Sequence, residues 1–145
     1  MAAALSVEHE AILWPMLALV ALTFAVAGRM YARRIAEMRA RRISPQSIAS
    51  RRAAVERLED TAAADNFANL FELPVLFHVL CLALYLTGNV TVVQLVLAWV
   101  FVALRIAHSA IHCTYNRVMH RFQVFVLGML CLLAMWVLFA LQLAG

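Results

Sequence analysis

Asp65-Asn66-Phe67-Ala68-Asn69-Leu70-Phe71-Glu72-Leu73-Pro74 opens one long apolar run, and Arg105-Ile106-Ala107-His108-Ser109-Ala110-Ile111-His112 closes the next. How these two stretches meet decides the fold. Between them the chain has a tight connection near Gly88-Asn89. Glu72 and Arg105 are equally far from that turn in sequence, as are Asn69 and His108, and Asp65 and His112. In an antiparallel helical hairpin, equal separation from the turn means equal height. The spacings 65/69/72 and 105/108/112 follow helical steps, so each trio can line one face. Charged groups inside a bilayer are costly unless paired, and their default reading is functional.

Working outward, the whole chain is apolar. Its 145 residues are 66% hydrophobic, with a mean hydropathy of +0.86, which no ordinary soluble domain shows. Four runs, about 11–28, 67–86, 91–110 and 122–143, each approach the ~20 residues an α-helix needs to cross a bilayer. They are rich in Leu, Ala and Val without strict alternation, which predicts helices and not barrel strands. The expectation is an all-α, four-helix integral membrane bundle. Four spans and one connector, about 29–64, use up the length as a single membrane domain.

Charge sets the orientation. All 12 basic residues are Arg. Most fall between the first and second runs, and Arg117 and Arg121 lie between the third and fourth. The positive-inside rule then puts both termini outside and the Arg-bearing connections in the cytoplasm. The net charge of +4 is accounted for by topology and contact with anionic lipid, so no nucleic-acid partner is expected. Cys81, Cys113 and Cys131 have no framework spacing and read as small buried hydrophobes, with Cys113 the one candidate for reactivity.

Local signals refine the picture. The first helix is expected to continue as an Arg-rich extension to about Arg42, with Ser44-Pro45 as stop and restart. The second is expected to begin near Ser50 and enter the membrane without a break, kinked at Pro74. The rise of ~1.5 Å per residue puts Glu72 and Arg105 about 25 Å from the Gly88-Asn89 turn, just inside the cytoplasmic boundary. The polar residues then form a funnel with a Glu72–Arg105 ion pair at its floor. One reading makes that pair glue between helices. The other makes the funnel a pocket for a charged or zwitterionic headgroup, with an apolar tail in lipid. His108 and His112 at i, i+4 raise a metal site, but no third close ligand is evident and none is expected.

The run Asn66 to Pro74, the Arg105-Ile106-Ala107-His108 stretch, and the later Arg117 and Arg121 together resemble the MAPEG family (membrane-associated proteins in eicosanoid and glutathione metabolism). The resemblance covers the whole chain and is strongest to the bacterial branch. It implies a homotrimer in a bacterial inner membrane, with glutathione bound between protomers and a lipophilic substrate arriving from the bilayer. By that resemblance Asn69 and Glu72 hold the tripeptide, with Arg105, His108 and His112 completing the pocket. Arg121, with Arg117 close behind, stabilises the thiolate; Arg41 or Arg39 contributes from the end of the first helix. A neighbouring guanidinium favours the thiolate, which is the nucleophile. The implied activity is a glutathione (or related thiol) transferase or peroxidase acting on lipophilic electrophiles. The alternative is a non-catalytic lipid-binding or accessory subunit. Asp65 favours it, standing where glutathione-using members commonly carry Arg. A proton-coupled transporter is disfavoured, because Arg105 is placed to hold Glu72 ionised.

Overall fold

The computed structural model describes residues 8–59 and 61–144, apart from the side chain of Arg51. The remaining residues, including part of the uncharged C-terminal tail, lie outside this description. Six α-helices follow one another: α1 (Leu13–Arg41), α2 (Arg51–Arg57), α3 (Ala62–Asn69), α4 (Leu73–Thr87), α5 (Val92–Cys113) and α6 (Val118–Ala144). Single 3-10 turns precede α1 (His9–Ile12) and α2 (Pro45–Ile48). Four segments are long and apolar enough to span a bilayer: His9–Arg41, Ala62–Thr87, Val92–Cys113 and Val118–Ala144. The protein is therefore an all-helical, integral membrane bundle, with no strand among the described residues.

The helix ends follow their local chemistry. α1 runs on past its apolar part and stops where Arg42 turns left-handed (φ 52°), its chain reversed by Ile43 N–H donating to the Met38 carbonyl at 2.9 Å. Ser50 caps α2 and Thr91 caps α5, each side-chain oxygen accepting from the backbone N–H three residues on. α4 ends at Gly88 (φ +67°), a conformation glycine adopts at no steric cost, and Asn89 N–H donates to the Leu84 carbonyl. The expected tight turn at Gly88-Asn89 is there.

The second span departs from expectation. It is not continuous: the helix is interrupted after Arg57 and again at Leu70–Glu72. Glu72 adopts φ −99°, ψ −106°, outside the helical region. Pro74 explains this second break. It offers no N–H to the Leu70 carbonyl, and its ring crowds that carbonyl in a continuous helix. α4 restarts with Pro74 in its first turn, where the missing donor costs nothing. The inward face keeps one helical period through the break, 63/66/70/74/77/81/84. Ala63, Asn66 and Leu70 turn inward, while Asp65 and Glu72 are exposed.

α5 is the central element, packed along α6 and also against α1 and α3. α4 meets it through Phe77 and Phe101, whose rings stack at 4.7 Å. Ile12, Leu19, Leu80, Leu84, Ala98, Leu132 and Met135 fill the rest of the core. The outward positions of α4, α5 and α6 (Leu76, Val79, Val96, Ile106, Leu130, Val137) stay exposed and apolar, as lipid contact requires.

Candidate functional site

The polar residues of α5 lie on its buried face. Arg105 is 1% exposed, His108 4% and His112 2%. All three positions keep the helical period predicted for 105/108/112. Opposite them stands α6, and Gly128 is what allows its approach: a Cβ there would lie 2.9 Å from Arg105 Nη2. The guanidinium rests between two rings, 5.3 Å from the Phe101 centroid and 5.2 Å from that of Phe125. Such cation–π contacts offset part of the cost of burying a charge.

Arg105 nonetheless lacks polar partners. Its Nε and Nη2 are buried without a hydrogen bond, and so are both ring nitrogens of His108. The ion pair expected with Glu72 is not formed within the protomer. Glu72 sits in the exposed break between α3 and α4. An unpartnered buried polar group costs ~1–3 kcal/mol, so this cluster is a place where an acceptor is owed.

Nearer the Arg-bearing end, Arg121 occupies the first turn of α6. Asn116, left-handed at φ 46°, sharpens the α5–α6 connection and brings it there. Arg121 Nη1 donates to His112 Nε2 and to Asn116 Oδ1, both at 2.8 Å. Arg121, His108 and Asn69 line one hollow of about 180 Å³ with Val118, Phe122 and Phe125. It combines a cation, an imidazole and an amide with an apolar wall.

Other expected residues lie elsewhere. Arg117 is exposed just before α6. Arg41 is held in the connector by Glu37 (2.9 Å) and Glu59 (3.3 Å), and donates to the Arg57 carbonyl. Arg39 is exposed on the α1 extension. His78 pairs its Nδ1 with the Pro74 carbonyl of its own helix at 2.6 Å.

Three contributors were not anticipated. Asn66 is fully buried, accepts from Ser109 Oγ at 3.2 Å and donates to Cys113 Sγ at 3.5 Å, tying α3 to α5. Its signal was the period 63/66/70, hidden by the competing 65/69/72. Gly128 is the one glycine within an otherwise bulky fourth run. Asn116 is a turn former beside Arg117.

Fold and site together define a membrane-spanning helical bundle with a buried cationic cluster near one end. The MAPEG family model matches residues 12–141, nearly the whole chain. The chain belongs to the MAPEG family, which supports a membrane protein of the glutathione- and eicosanoid-metabolism kind. No curated protein and no solved structure matches it.

Proposed function

We propose that this protein is a thiol-using membrane transferase or peroxidase that attacks lipophilic electrophiles with glutathione or a related thiol. The observation that carries the reading is Arg121, fixed by His112 and Asn116 at the wall of a hollow shared with Asn69 and His108. A guanidinium held in this way favours a bound thiolate without rearranging as charge develops. Asn69 and His108 supply polar contacts for the peptide part of the thiol. Phe122 and Phe125 supply the apolar side facing a substrate from the bilayer.

Arg105 is offered as the buried cation for a carboxylate, a role suited to its planar donors. Val118 and Phe122 are exposed beside the hollow, so a second copy of the chain closes it in a homotrimer. Glu72 reaches the ligand only in that assembly. The Arg-bearing end faces the cytoplasm of a bacterial inner membrane.

A second reading keeps the fold without the chemistry, as a lipid-binding or accessory subunit. Asp65 supports it, being exposed on α3 where a cation would better serve a carboxylate ligand. Calorimetric titration of glutathione into the detergent-purified protein separates the two. The transferase reading expects saturable binding that Arg121→Ala and Asn69→Ala weaken. No heat at millimolar glutathione, with intact protein, supports the accessory reading instead.

A further inference from the structure

Cys81 and Cys131 are buried within the apolar spans, at 0% and 9% exposure. Cys113 differs from both: it is the last residue of α5 and only partly buried. It lines a second hollow, of about 250 Å³, together with Ala62, Ala63, His112, Thr114 and Asn116. Thr114 and Asn116 are exposed, so the hollow opens at the Arg-bearing end of the spans. The cysteine is fixed from two sides. Arg29 Nη2 donates to its carbonyl at 2.6 Å, and Asn66 Nδ2 donates to its Sγ at 3.5 Å. A donor at the sulfur favours the negative charge that develops there when the thiol acts as a nucleophile.

An accessible thiol alone names no ligand, and His112 supplies the independent observation. It lines the same hollow, is 2% exposed, and its Nδ1 is buried with no hydrogen-bond partner. Its other nitrogen, Nε2, faces Arg121 Nη1 at 2.8 Å. A guanidinium only donates, so Nε2 is the acceptor, and in the neutral ring the proton resides on Nδ1. The residue beside the thiol therefore carries an unused N–H donor. A group attached to Cys113 would satisfy it if that group brought carbonyl or carboxylate oxygens into the hollow. The volume suits a small thiol and leaves no room for a protein.

We propose that Cys113 is a site of reversible mixed-disulfide formation with a low-molecular-weight thiol whose carbonyl or carboxylate oxygens accept from His112 Nδ1–H. The reagent is the oxidised thiol, RSSR. The Cys113 sulfur, as thiolate, attacks one of its sulfurs; a new S–S bond forms and the old one breaks. The departing RS⁻ takes the electron pair and the proton that Cys113 gave up, leaving the mixed disulfide and RSH. Excess RSH reverses the step. A peroxidase that oxidises two thiols per peroxide makes RSSR, so the reading above supplies the reagent. The site does not rest on that reading, because RSSR added from solution serves equally. The ring that meets the adduct is the ring that holds Arg121, so the modification reports to the first hollow through one imidazole.

The test is intact-mass spectrometry of the folded full chain in detergent after incubation with oxidised glutathione. One glutathionyl group is expected, removed by dithiothreitol and absent from Cys113→Ser. Peptide mapping should place it on Cys113, formed at least about tenfold faster than on Cys81 or Cys131. Should Cys113→Ser fail to fold, the mapping of the wild type decides. No adduct at millimolar oxidised glutathione, or equal rates at all three cysteines, overturns the site. In protein with ¹⁵N-labelled histidine, the glutathionyl adduct should move the His112 Nδ1–H resonance. A methylthio group placed on Cys113 by methyl methanethiosulfonate has no acceptor oxygen and should move it much less. A resonance that stays put in the glutathionyl protein, or equal shifts from the two adducts, overturns the role of His112.

Discussion

The two sides of α5 bury polar groups in opposite ways. Toward α3, Ser109, Asn66 and Cys113 form a connected hydrogen-bonded set. Toward α6, Arg105 and His108 are as deeply buried and leave four nitrogens without partners. The first side reads as structure, because its polar atoms are supplied from within the chain. The second reads as a site, because what would satisfy it has to come from outside. The difference teaches that burial alone does not mark function in this bundle; burial without partners does.

Substitutions on each side should separate these roles. The largest effect is expected from Arg121→Ala, which removes the fixed cation. Thiol turnover should fall by about 100-fold or more, with a loss of about 1 kcal/mol of stability because the buried His112 Nε2 loses its donor. Next comes Arg105→Met, which replaces an unpartnered cation by an apolar chain of similar reach. Unfolding in mixed micelles should show a gain of ~2 kcal/mol, while glutathione affinity drops. A loss of stability there would make Arg105 structural and erase the contrast.

On the other side, Asn66→Leu should cost about 1.5 kcal/mol, because Ser109 loses its buried acceptor. The folded fraction should keep its thiol affinity, measured by calorimetry. The smallest effect is Gly128→Ala. Its new Cβ pushes on Arg105 and should cost ~1 kcal/mol. In an Arg105→Met background that cost should vanish, giving a coupling of similar size in a double-mutant cycle.

The sequence shows the fold and one side of the site well. A bilayer imposes length and composition on each span, so four apolar helices are legible directly. The inward face of α5 is legible because its helix is unbroken, and 105/108/112 keep their period. The partner face is not, because two helical periods compete there, 65/69/72 and 63/66/70/74/77, and the buried positions follow the second. That is why Asn66 and not Asp65 turns inward, and why Glu72 is exposed. Gly128 is invisible for a different reason. Its importance lies in a long-range approach to Arg105, which no local pattern encodes. Arg121 and Arg117 are hard to separate by sequence, since the left-handed turn at Asn116 decides which of them reaches the hollow.

The most direct test is the ultraviolet thiolate absorbance of glutathione added to the detergent-purified protein, compared with Arg121→Ala at the same pH. A saturable thiolate signal is expected in the wild type, and the variant should lose it while remaining folded. Equal signals in both proteins, or none in the wild type at saturating glutathione, would contradict the role given to Arg121.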